Sequence, residues 1–300
     1  MKRMPLIVLA LAALVVTGML LYGRFTDRVP ERSPVKDTTL IQLEQFIEES
    51  PHQISLAYYD FADQRMQDIN GNREIFPASM IKVLFLLAAL EEVEAGELSL
   101  AQTYTLTEED KYMNGTPVTG SGTIQNEEPG KEFTIEEILH LMVSISDNIA
   151  ANITVDLVGR DKIESLVERL QLTHTSAVQK MFEAPDGVPR NMSTARELTE
   201  VLVALEKATV VNEELSEKGT EMMKDTIDKS RIGRKLNQQT ITVANKVGTA
   251  SSMVGDMGLL YFAKRAPVAL TIMIVDPESQ ELADEEIGQL TKMIVDAVTE

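Results

Sequence analysis

Three short clusters in this 300-residue chain hold residue types that could do chemistry: Ser79-Met-Ile-Lys82, Ser146-Asp147-Asn148 and Lys246-Val247-Gly248-Thr249. A serine hydroxyl is a weak nucleophile until a base takes its proton. Residues three apart on a helix share a face, with Cβ atoms about 5–6 Å apart, so Lys82 can serve Ser79 as that base. A lysine at its free pKa of about 10.4 is neutral less than about 0.1% of the time at pH 7. Acting as a base therefore requires a depression of roughly three units, about 4 kcal/mol, and burial beside a second cation such as Lys246 pushes in that direction. Each cluster also has a plain reading. Ser79 and Lys82 could be a helix-start residue and a surface cation, Ser146 and Asp147 a helix cap, and Lys246 a strand-end charge. A second Ser-x-x-Lys, Ser33 to Lys36, lies in a charged stretch where Pro34 argues against a packed helix. The joint occurrence in this order favours a catalytic constellation built on Ser79.

Positioning these groups requires a particular set of elements. Ile54 to Phe61 alternates as a strand, and Asp68-Ile-Asn-Gly-Asn closes a second. Pro77 stands ahead of an apolar helical run, 78–95, that ends at Gly96. Thr134 with Glu137 forms a capping box for another helix. Helical patterns recur at 147–158, 161–170, 193–206 and 213–227, strands return at 241–246, 256–264 and 267–275, and a helix closes the chain over 283–299. Strands near both ends with helices between predict an α+β fold: an antiparallel sheet built from both termini, flanking helices and an inserted all-helical lobe. The cleft between the lobes is the expected site.

Composition narrows the chemistry. Apolar residues make up 44% of the chain, enough for a large core, and 47 acidic against 28 basic residues give a formal charge of −19. Such a chain is repelled by nucleic-acid phosphates. The absence of cysteine excludes disulfides, thiol catalysis and cysteine-based metal sites. His52, His140 and His174 lie far apart with no ligand spacing, which argues against a histidine metal site or a Ser-His-Asp triad. No metal or organic cofactor is implied. The methionines, Met80, Met142, Met181 and Met222 among them, read as core filling. The acidic clusters at 91–97 and 107–110 read as solvated faces.

Met4 to Tyr22 is an almost unbroken apolar run after Lys2 and Arg3. At about 1.5 Å per helical residue it would span roughly 28 Å, close to the thickness of bilayer hydrocarbon. A buried core helix is the alternative. Segments 1–23, 24–38 and 39–300 therefore read as membrane anchor or signal segment, charged tether, and catalytic domain, with Thr38 and Thr39 as caps for a helix through Leu40, Leu43, Phe46 and Ile47. Arg24, Arg28, Arg32 and Lys36 oppose this orientation under the positive-inside rule. The catalytic domain is nevertheless expected outside the cytoplasmic membrane, on a single-pass anchor, or secreted if the segment is cleaved.

The three motifs together resemble the penicillin-recognising serine hydrolases, most closely the class A β-lactamases and their membrane-attached relatives. The resemblance covers about residues 40–300 and includes Ser146-Asp-Asn-Ile-Ala-Ala-Asn152, the Gly96-Glu-Leu-Ser-Leu100 turn and the strands from Val243 to Asp256. It implies a Ser79 acyl-enzyme formed on a β-lactam or a peptidoglycan-peptide-like substrate. It further implies Lys82 as base, Ser146 as proton relay, Asn148 on the substrate's side-chain amide, and Lys246, Gly248 and Thr249 around its carboxylate. Backbone N–H groups of Ser79 and Thr249 would form the oxyanion hole. Three positions depart from the family pattern. Val247 replaces a hydroxyl, worth about 1 kcal/mol. Met257 stands where many relatives carry arginine, with Arg231 and Arg234 as possible substitutes. The loop at 174–192 offers Glu183 as its only glutamate for activating the deacylating water, with Asp186 a weaker candidate and a surface charge the plain reading. A D-Ala-D-Ala peptidase or slow penicillin-binding protein, and a non-catalytic cell-wall-binding module, are the competing functions. Oligomeric state is not legible.

Overall fold

The computed structural model describes residues 34–183, 188 and 190–299. The chain divides into two compact units, Met1–Ile41 and Gln42–Glu300. The apolar run at 4–22 and Asp186 lie outside the described residues. Among those described, no helix is long and apolar enough to cross a membrane.

Helix α1 spans Pro34–Glu49. It starts ahead of the expected caps at Thr38 and Thr39, so the predicted tether gives way to helix at Pro34. Proline suits a first helical turn because the N–H it lacks has no partner there. Strands β1 (Gln53–Asp60) and β2 (Arg65–Ile69) follow as a hairpin. A 3₁₀ turn over Ala78–Ile81 leads into α2 (Lys82–Glu94). The helical lobe begins with the short strands β3 (Thr103–Thr105), β4 (Tyr112–Met113), β5 (Thr116–Pro117) and β6 (Glu132–Thr134), which carry no alternation long enough to read. Its helices are α3 (Ile135–Ser144), α4 (Asn148–Val158), α5 (Arg160–Arg169), α6 (Ala195–Glu206) and α7 (Glu213–Lys224). Strands β7 (Ile241–Ala250), β8 (Met253–Phe262) and β9 (Val268–Val275) return to the sheet before α8 (Gln280–Thr299).

The main sheet runs β2-β1-β9-β8-β7, antiparallel at every pairing, so the two ends of the chain do build one sheet. Strand β7 forms one edge. Its pairing with β8 holds ten residue pairs in register and places Lys246 opposite Met257 and Gly248 opposite Gly255. One face of the sheet packs Leu56, Ile272 and Ile274 against Leu43 of α1 and Ile287 and Ile294 of α8. The other packs Ala57, Met257 and Met273 against the helical lobe. Helix α2 is buried all round, as expected of a helix with no polar face: Val83 to Ala89 are at most 2% exposed. The helix therefore cannot shift without disturbing the whole lobe, which fixes Ser79 and Lys82 at its start.

Local signals set the remaining ends. Thr134 and Glu137 form the expected capping box on α3. Asp147 caps α4 by accepting from the N–H groups of Ile149 (2.9 Å) and Ala150 (3.0 Å). The acidic cluster at 91–97 is not wholly solvated: Glu92 is buried and pairs with Lys162 of α5. Truncating Leu87, fully buried on α2, to alanine should cost about 2–5 kcal/mol in urea unfolding. A loss below about 1 kcal/mol would mean α2 is not the packed centre of the lobe.

Candidate active site

Ser79 sits in the 3₁₀ turn rather than in an α-helix, half-buried, and its hydroxyl has no hydrogen bond to another described residue. Ala78 just before it has φ +46°, a left-handed conformation that costs a residue with a Cβ about 1–2 kcal/mol. Edge strand β7 lies directly against this turn. A Cβ at Gly248 would fall 2.6 Å from the carbonyl oxygen of Pro77, so only glycine allows that approach.

Lys82 is fully buried, which removes its reading as a surface cation. Its ammonium donates to Ser146 O (2.7 Å), Asn148 Oδ1 (2.9 Å) and Ser146 Oγ (3.3 Å). Lys246, equally buried, donates to the same Ser146 Oγ at 2.9 Å and to Val247 O at 3.1 Å. Two lysines far apart in sequence therefore meet on one hydroxyl. Ser146 holds that position with φ +59°, a second left-handed residue at the site. Strain of this kind persists where surrounding contacts over-determine it, and it clusters at functional sites.

Asp147 supplies those contacts. Besides capping α4, its other carboxylate oxygen accepts from Thr123 N (2.7 Å) and Ile124 N (2.9 Å), which ties the 119–126 loop to the start of α4. Gly122, at φ +106°, leaves room for it; a Cβ there would lie 2.2 Å from the carboxyl carbon. Asn148 completes the link by donating to Thr119 O at 2.8 Å. The Ser-Asp-Asn cluster is thus both a helix cap and the seat of the lysine pair.

Burial, and then the Lys246 charge, push Lys82 well below the ordinary lysine range, with Asp147 opposing. Burial pushes Lys246 down to about 7; Arg231 adds to the fall and Asp256 resists it. Asp256, buried between Asn245 and Ile232 N, is raised to about 6 by desolvation. The arrangement can therefore present a neutral amine at Lys82 beside a serine hydroxyl.

Arg231 occupies a place that no linear spacing reveals. Fully buried, it donates Nε to Asp284 (2.7 Å), Nη1 to Gly248 O (2.8 Å) and Gly255 O (2.7 Å), and Nη2 to Thr249 Oγ1 (2.7 Å). It braces β7 and brings a guanidinium to Thr249. Arg234 instead pairs with Glu281 and Glu285 at the surface. Met257 is fully buried in the main core, so it is a packing residue and not part of an anion site.

Glu183 lies on a loop held by two amide clamps. Asn152 pairs with both backbone groups of Met181 (2.7 and 3.1 Å), and Asn191 does the same for Gln179 (2.8 and 2.9 Å). The Glu183 carboxylate accepts from Arg160 Nη2 at 2.6 Å and Lys180 N at 3.0 Å. Among the described residues it has no hydrogen bond to Ser79, Lys82 or Ser146. Each histidine faces a carboxylate, His52 with Glu286, His140 with Asp225 and His174 with Glu74, and none belongs to the site.

With this geometry in place, the comparison with known proteins is decisive: the sequence model of the Beta-lactamase enzyme family matches residues 41–298. The chain belongs to that family. Beta-lactamase VEB-1 of Pseudomonas aeruginosa is 23% identical over 273 residues, covering 86% of this chain and 89% of that protein. The extended-spectrum beta-lactamase PER-1 of the same organism is 24% identical over 227 residues, covering 71% and 72%. Among solved structures, a beta-lactamase from Sphaerobacter thermophilus superposes with TM-score 0.79 at 23% identity, covering 88% of this chain and 97% of that one. PBP-A superposes with TM-score 0.79 at 21% identity, covering 90% and 98%.

Depressed lysines make folding pH-dependent with a fixed sign. Between the folded value of about 7 for Lys246 and the unfolded 10.5, the unfolded chain binds a proton that the folded chain does not. Stability therefore rises with pH in that window. Lys246 alone should raise the unfolding free energy by on the order of 2 kcal/mol from pH 7.5 to 9.5, with the depressed Lys82 and Lys229 adding to it, and Lys246→Met should lessen the rise. A flat wild-type profile would show that the buried lysines keep ordinary affinities for protons.

Proposed function

We propose that this chain is a class A-type serine hydrolase that opens the β-lactam amide through an acyl-enzyme on Ser79. The observation that carries this reading is the convergence of Lys82 and Lys246 on Ser146 Oγ, at 3.3 and 2.9 Å, with the half-buried Ser79 in the turn that leads into the helix starting at Lys82. Neutral Lys82 takes the Ser79 proton. Ser79 Oγ attacks the lactam carbonyl, and the oxyanion forms against backbone N–H groups of Ser79 and Thr249 at the edge of β7. The carbon–nitrogen bond then breaks, and Ser146 Oγ passes a proton to the leaving nitrogen. Lys246, Gly248 and Thr249, with Arg231 behind Thr249, receive the substrate carboxylate, and Asn148 its side-chain amide. Hydrolysis of the ester by water regenerates Ser79.

The Glu183 ion pair supports a second reading. A carboxylate engaged by Arg160 is not free to activate water, so deacylation is slow and the protein behaves as a penicillin-binding protein or D-Ala-D-Ala peptidase. We further infer that residues 4–22 anchor the chain in the cytoplasmic membrane with the catalytic domain outside, on the strength of their almost unbroken, uncharged apolar composition.

Incubating the full chain with a fluorescent penicillin and a chromogenic cephalosporin tests both readings. An adduct on Ser79 and colour release, both lost in Ser79→Ala, are expected for the hydrolase. A persistent adduct with little colour selects the slow acylator, and Glu183→Gln then leaves the adduct lifetime unchanged. The absence of any adduct on the wild-type chain would overturn the assignment to Ser79.

A further inference from the structure

A separate cavity of about 280 Å³ lies among the end of α6, α7 and the end of β8, and none of Ser79, Lys82, Ser146 or Lys246 lines it. One wall carries Ser216, 5% exposed, whose hydroxyl has no hydrogen-bond partner among the described residues. Buried polar groups in folded proteins are paired as a rule, so an unpaired hydroxyl on a cavity wall points to a ligand or ordered water there. The half-buried carboxylate of Glu206 also lines the cavity and accepts from Tyr261 OH through Oε2. Its other oxygen has no partner among the described residues.

The charge around the cavity is one-sided. Glu213 and Glu217 join Glu206 on its lining, and none of the three forms an ion pair among the described residues. The one cation on the wall, Lys224, is paired with Glu221, lies 4.9 Å from the centre of the Tyr261 ring, and also acts through its charge on Glu206, so one lysine serves several carboxylates. Leu205 supplies an apolar surface. No group of three or more metal-binding side chains is gathered among the described residues, so the donors do not suit a metal ion. A neutral alcohol would bring no positive charge to a lining where Glu206, Glu213 and Glu217 face one lysine, and a quaternary ammonium has no N–H to offer Ser216.

We propose that this cavity binds a small primary ammonium ion, its N–H groups held by the Glu206 carboxylate and the Ser216 hydroxyl and its short alkyl part against Leu205. The occupant is neither substrate nor product of the Ser79 chemistry, and the site is independent of it.

Propan-1-amine hydrochloride titrated into the full chain at constant ionic strength tests the proposal by calorimetry and by ¹H–¹⁵N NMR. Saturable one-to-one binding is expected, with shifts confined to the ends of α6 and β8 and to α7. Tetramethylammonium chloride should give no saturable binding. Ser216→Ala removes a hydroxyl that supports no other group, so it should keep the wild-type melting temperature yet weaken binding at least about tenfold. Glu206→Gln should abolish binding. Non-saturating shifts, equal response to both cations, or wild-type affinity in Ser216→Ala would overturn the site and leave it a water-filled pocket.

Discussion

Two buried ammonium groups share one hydroxyl oxygen, and most of the site follows from that constraint. Lys82 and Lys246 are both fully buried and both donate to Ser146 Oγ. Burial makes both lysines hold their protons less tightly than lysines in water, and the Lys246 charge lowers Lys82 further. On the proposed mechanism, a proton acceptor for Ser79 thus arises without histidine. The surroundings are built to hold this unfavourable pair. Asp147 spends four backbone hydrogen bonds on the loop and helix that carry Ser146. Gly248 lets β7 close onto the turn at Ser79, and Arg231 braces that strand through two carbonyls and a hydroxyl.

The same devices store strain. Ala78 and Ser146 both adopt left-handed backbone on either side of the reacting groups. Neither is glycine, so each conformation is held by packing and hydrogen bonding rather than by preference. The core supplies the margin. Helix α2 is enclosed on all sides, and Leu43 and Ile47, with α8, seal the opposite face of the sheet. Stability invested in that core keeps a destabilised site in place, the usual relation between a catalytic centre and its scaffold.

Much of this was legible in the sequence because it is local. The Thr134–Glu137 box, the Asp147 cap and the apolar runs of α2, β8 and β9 all act within a few residues, so composition and spacing carry them. The three motifs were legible as a set, and the structure brings Lys82, Ser146 and Lys246 together. What was not legible depends on distant partners. Arg231 reads as one of two candidate replacements for the family arginine, indistinguishable from Arg234 until β7, β8 and α8 surround it. Met257 reads as a departure from an arginine until its burial shows a core residue. The 3₁₀ geometry at Ser79 and the helical start at Pro34 turn on backbone detail that side-chain pattern does not encode. Glu183 was marked by type and loop position, whereas its carboxylate is engaged by Arg160 of α5, a contact no motif announces.

The most direct measurement is the proton affinity of Lys82 itself. Selective ¹³C labelling at lysine Cε, assigned with Lys82→Met and Lys246→Met, allows each ammonium to be titrated by NMR in the resting protein. Lys82 should titrate far below the ordinary lysine value of 10.5, and removal of Lys246 should raise it. A Lys82 resonance that titrates near 10.5, unmoved by loss of Lys246, would contradict the account.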